Sequence, residues 1–100
     1  MRRHYIVSYD ISDPVRLRKV HKVVRDYGEA LQLSVFACQL HDKDRAILEA
    51  KLRDVIHHKE DQVVFVDLGR VKDGEESDCP PGTTAIGRPL ELGRVRVVVV

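Results

Sequence analysis

The chain has little of what lets many small proteins reveal their chemistry. It has two cysteines, Cys38 and Cys79, far apart and in no C-x-x-C pattern. A zinc site or redox pair is therefore not expected, and both read as free thiols of a reducing cytoplasm, Cys38 as a core residue. Long apolar runs are missing: "VVVV" at 97–100 is strand-sized, far short of the ~20 residues of a membrane span. Arg2, Arg3 and His4 precede an apolar stretch too short for a secretory signal, and Asp10 interrupts it. The expectation is a cytoplasmic protein with no membrane contact. There is no Gly-rich phosphate loop, no H-E-x-x-H and no nucleophile elbow. The histidines, His4, His21, His41, His57 and His58, share no ligand spacing on one helix face. They read as surface or boundary residues, with His57-His58 at a helix end. Aromatic residues are few, Tyr5, Tyr9, Tyr27, Phe36 and Phe65, and without an RNP signature they argue against an RNA-recognition sheet. Charge of one sign is also missing: 17 Lys and Arg face 16 Asp and Glu, for a net +1. Bulk charge therefore does not announce nucleic acid.

What is present is an ordinary soluble composition, 43% hydrophobic and 33% charged, in 100 residues. That length reads as a single domain over 1–100, with a modest core that a partner subunit would help to complete. Residues 4–10 alternate, with Tyr5, Val7 and Tyr9 facing one way and Ile6, Ser8 and Asp10 the other. Both faces are half apolar, as in a central strand. "SDPVRLRKVHKVVRDYG" reads as a helix, with Ser12 or Asp13 as its cap, Pro14 in its first turn and Gly28 at its end. Leu17, Val20, Val24 and Tyr27 form its core stripe. Residues 29–40 are either one long strand or two short ones joined by a tight turn near Leu33-Ser34. A second helix is expected from Asp42 to His57, with Ile47, Leu48, Leu52, Val55 and Ile56 on its apolar side. A strand follows at 61–69, a polar loop at 72–82, and short strands at "TTAIG" and "RVRVVVV". With 29–40 split in two, the order is the β-α-β-β-α-β of an α+β ferredoxin-like fold with an additional C-terminal strand. Two helices cover one face of such a sheet, so strands apolar on both faces call for a homodimer.

Two features carry the candidate chemistry. Asp10 closes a central strand on the uncovered side, where an unpaired carboxylate needs a donor, a cation or a metal. Two copies converging across a dimer axis would suit Mg²⁺ or Mn²⁺; a turn role, with Asp13 as a simple N-cap, is the plainer alternative. The helix face bearing Arg16, Arg18, Lys19, Lys22 and Arg25, with Asp26 its only acid, is either a solvated face or a phosphate-contacting surface. No general base is evident.

"YIVSYDISDPVRLRKV", then "DYG", then "QLSVF" at 32–36, with "AIGRP" at 85–89, resemble the CRISPR-associated protein two family in order and spacing. The likeness runs from residue 4 to about residue 68. It implies a homodimer with its sheets face to face and the C-terminal strand added to the partner's sheet. It implies a divalent cation, Mg²⁺ or Mn²⁺, held by Asp10 across the two-fold axis, with Tyr9, Ser34 and Phe36 lining that region. The implied activity is that of a metal-dependent endonuclease for single-stranded RNA or double-stranded DNA. Its setting is spacer acquisition, in partnership with the CRISPR integrase. The alternative is a non-catalytic DNA-binding scaffold that uses the basic helix. Nothing transfers to the loop at 72–82.

Overall fold

The computed structural model describes residues 1–74, 79–92 and 95–96. In chain order come β1 (Arg3–Asp10), α1 (Pro14–Val24), β2 (Gly28–Gln32), β3 (Val35–Leu40), α2 (Asp42–Val55) and β4 (Gln62–Arg70), then β5 (Glu91–Leu92) and β6 (Val95–Arg96). The first four strands form one antiparallel sheet in the order β2-β3-β1-β4. This is the ferredoxin-like arrangement expected from the sequence. β1 is interior: Val7 lies between Phe36 on β3 and Phe65 on β4. Among the described residues no helix is long and apolar enough to cross a membrane.

Local chemistry accounts for most boundaries. Asp13 caps α1, its carboxylate accepting from the Arg16 N–H at 2.9 Å, and Pro14 occupies the first turn, where its missing donor costs nothing. Segment 29–40 resolves into two strands that turn at Leu33-Ser34, with Gln32 opposite Val35. Three expectations change. α1 ends at Val24, short of Gly28, which instead opens β2. A Cβ there would run into the Ala37 carbonyl and the Cys38 sulfur, so strand packing, not a helix cap, requires glycine. α2 stops at Val55 rather than His57, and the His57 N–H turns to Asp61. "TTAIG" forms no strand, only an isolated bridge at Ala85. The strand before the C-terminal one is β5, which pairs with β6 in a sheet of its own. β6 falls within the expected 94–100 strand, whose residues 94 and 97–100 lie outside the described residues, as do 75–78 of the 72–82 loop.

Alternation along β1 sets up two unlike faces. Tyr5, Val7 and Tyr9 are buried beneath the helices among Val20, Val24, Phe36, Leu48 and Leu52, and Cys38 joins the same core. Ile6, Ser8 and Asp10 point the other way, opposite Val66, Val64 and Gln62 on β4. Val64, Val66 and Leu68 are left 41%, 43% and 50% exposed, an apolar band that no helix among the described residues covers.

Candidate functional site

Tyr9 and Asp10 are consecutive on β1, so their side chains leave by opposite faces. Tyr9 enters the core, its ring stacked on Phe36 with centroids 6.2 Å apart. Its hydroxyl lies 2.9 Å from His21 Nδ1 and donates to the Leu33 carbonyl at 3.2 Å. Its N–H donates to the Ser34 carbonyl at 3.1 Å. Burial raises the Tyr9 pKa and keeps the phenol neutral. The residues singled out in the sequence, Tyr9, Asp10, Ser34 and Phe36, thus gather at the end of β1, but not on one surface. Tyr9 and Phe36 pack on the helix side, and Ser34 acts there through its main chain. Asp10 is the exposed one, and no hydrogen bond or ion pair joins its carboxylate to any described residue. Tyr9, Ser34 and Phe36 therefore fix the strand end, and Asp10 is the group exposed enough to meet a ligand.

The turn role open to Asp10 falls to Asp61, which sequence reasoning missed. Its side chain is fully shielded. It accepts from the Ser12 N–H at 3.0 Å, Ser12 Oγ at 3.1 Å, the His57 N–H at 2.8 Å and Arg16 Nε at 2.8 Å. The Arg16 guanidinium, with these donors, holds the Asp61 carboxyl well below the usual carboxylate range, and Asp61 in turn raises Arg16. Arg16 also reaches Glu60 at 3.2 Å. This cluster ties the loop that follows Asp10 to the loop that precedes β4. The one sequence signal was an acid at the head of "DQVVFVDLG".

Arg16 is therefore held by carboxylates, unlike the rest of the basic face. Arg18, Lys19, Lys22 and Arg25 are exposed, and none is joined to a carboxylate among the described residues. Of the histidines expected at the surface or boundary, His4 differs and His21 is a boundary residue. His4 is buried at 2% exposure, and half-buried His21 sets its ring edge against Phe36 at 5.4 Å. The described residues contain no group of three or more His, Cys, Asp or Glu side chains placed to hold a metal ion. Asp10 is a hard oxygen donor suited to Mg²⁺, which binds through one or two carboxylates and keeps several waters. One such donor per chain is the lower end of that range, and a second copy would supply another.

The family model described as CRISPR associated protein Cas2 matches residues 2–75. The chain is 42% identical over 69 residues to a protein of Rhodospirillum rubrum named CRISPR-associated endoribonuclease Cas2 1, spanning 69% of this chain and 68% of the relative. It is 38% identical over 92 residues to the CRISPR-associated endoribonuclease Cas2 of Geobacter sulfurreducens, spanning 91% and 90%. Its fold is similar to the crystal structure of Streptococcus pyogenes Cas2, with a TM-score of 0.62 and 34% identity over 66% of this chain and 86% of that one.

Proposed function

The chain belongs to the Cas2 family of CRISPR-associated proteins, and from that premise we propose that it is a metal-dependent endonuclease of CRISPR adaptation. It hydrolyses phosphodiester bonds of single-stranded RNA or double-stranded DNA, and it works as a homodimer. The relatives' name, endoribonuclease, supports the reaction class. The observation that carries the site is Asp10, an exposed carboxylate without a partner among the described residues, on the face of the sheet that the helices leave open. A leftover acid beside the apolar band of Val64, Val66 and Leu68 makes sense where a second sheet closes over that band and brings its own Asp10.

Asp10 from each copy would hold the cation, Mg²⁺ or Mn²⁺. When bound, the cation supplies Lewis-acid polarisation of the phosphodiester and makes a water more acidic. The remaining work belongs to the chain. Tyr9 and Phe36 lock the end of strand β1 from the core side, and the Ser34 carbonyl anchors the Tyr9 N–H. The Asp61–Arg16 pair fixes the loop beyond Asp10. Arg18, Lys19, Lys22 and Arg25 draw the phosphate backbone in by charge, without reading sequence. A cleavage assay on single-stranded RNA and duplex DNA, with Mg²⁺ or with EDTA, tests the reading. Activity is expected in Mg²⁺ alone; equal activity in EDTA contradicts metal dependence.

One observation favours a second reading. Three exposed cations on α1 and a fourth, Arg25, just past its end, with no carboxylate partner among the described residues, suit a DNA-holding scaffold for the CRISPR integrase, with or without cleavage. In that case Asp10→Asn leaves both duplex retention and integrase binding intact.

A further inference from the structure

A pocket of about 410 Å³ opens between α1 and the tip of the β2–β3 hairpin; the mechanism above uses its cations to attract phosphates but gives the cavity itself no occupant. Leu17, Leu33 and Tyr9 give it apolar surface, and Arg18, Lys22 and Arg25 line it as well, with no acid among its lining residues. Leu33 is 81% exposed at the hairpin tip, so it serves no core. The pocket is separate from the Asp10 site, since Tyr9 faces the helices and Asp10 the open side of the sheet.

Its chemistry is specific in combination. A merely solvated basic face has no reason to present leucines beside its cations, and a purely apolar pocket has no reason to gather three cations with no carboxylate partner among the described residues. A flat, weakly polar body that carries negative charge matches both. The volume lies within the range of small-ligand pockets, ~300–1,000 Å³. Polar groups are also in place. The Tyr9 phenol has one proton, and its bond to the Leu33 carbonyl uses it. The same hydroxyl lies 2.9 Å from His21 Nδ1, and the imidazole is among the residues that line the pocket. A base edge or a ribose hydroxyl, each able to donate and to accept, matches a ring nitrogen in either tautomer.

We propose that this pocket binds one unpaired nucleotide unit, with the base against Leu17 and Leu33 and the phosphate on Arg18, Lys22 and Arg25. The proposal rests on the nucleic-acid reading above and extends it. Paired bases are stacked and cannot enter without being flipped out at a cost of ~a few kcal/mol, so the pocket favours single strands and unpaired ends over continuous duplex.

The test titrates the full-length protein, in EDTA, with 5′-AMP, a short single-stranded oligoribonucleotide and inorganic phosphate. The readouts are the His21 imidazole resonances and the Leu33 amide. Saturable shifts at both are expected with the nucleotide and the oligonucleotide, with affinity reduced about tenfold or more in Leu33→Glu and retained in Leu33→Met. Leu33 is exposed and contributes only its main-chain carbonyl to Tyr9, so the fold survives both changes. Tighter binding of the oligonucleotide than of AMP assigns the pocket to strands, and equal binding assigns it to free nucleotides. Three results overturn the proposal: no saturable shift at His21, unchanged affinity in Leu33→Glu, or inorganic phosphate binding as tightly as AMP, which reduces the site to a cationic patch. With no divalent cation present, failure here leaves cleavage through Asp10 standing. Conversely, a protein that never cleaves can still bind nucleotide.

Discussion

Asp10 and Asp61 sit one position apart across the β1–β4 pairing, since Asp10 faces Gln62. Asp61 is shielded and surrounded by donors, whereas Asp10 has none among the described residues. The folded-state pKa of Asp61 lies below its ordinary 3.8. Its stabilising contribution is therefore complete above that value and drains away as pH falls toward the folded pKa. Asp61→Asn should lower Tm near pH 7, and its deficit against the wild type should shrink near pH 3. Thermal melts at both values check this, and an equal deficit at both would contradict it. Arg16→Gln should also lower Tm, because it leaves the Asp61 carboxylate without its cation. Lys22→Gln should stay within about 0.5 kcal/mol of wild type, as exposed substitutions do; a drop matching that of Arg16→Gln would refute the distinction. Asp10 was legible in the sequence because alternation along a short strand tells which side each residue faces. Asp61 was not, because Ser12 lies 49 positions away and only the folded topology brings the two together.

Among the elements, Gly28 carries a test of why β2 begins where it does. A methyl group at this position meets the Ala37 carbonyl and the Cys38 sulfur. Gly28→Ala should cost about 1–3 kcal/mol, the usual range for overpacking. Urea denaturation measures it, and an unchanged midpoint would return the glycine to a helix-ending role. The first helix could be read because cap, proline and apolar stripe agree. The hairpin stayed ambiguous because apolar alternation continues through Leu33-Ser34, where no Gly or Asn marks a turn. "TTAIG" misled because β-branched composition marks a residue suited to a strand, while a strand also needs a neighbour to pair with. β5 was missed for the converse reason: two residues are too few to show a period.

At the scale of the whole molecule, two helices against a four-stranded sheet leave one broad face uncovered. Counting helices against strands was enough to expect this before any coordinates, although the depth of the apolar band needed the observed register. Val66 lies within the band at 43% exposure. Val66→Lys should leave the fold intact and shift the protein from dimer to monomer in sedimentation velocity; a wild type that is monomeric at ~100 μM would remove the reason for the dimer. The whole account depends on two copies placing their Asp10 carboxylates around one divalent cation. The most direct measurement compares wild type with Asp10→Asn for cleavage in Mg²⁺, with oligomeric state and duplex affinity followed in the same preparations. The expected result is that the wild type cuts and the variant does not, while the dimer and duplex binding persist. A variant that cuts at the wild-type rate would leave Asp10 no place in catalysis.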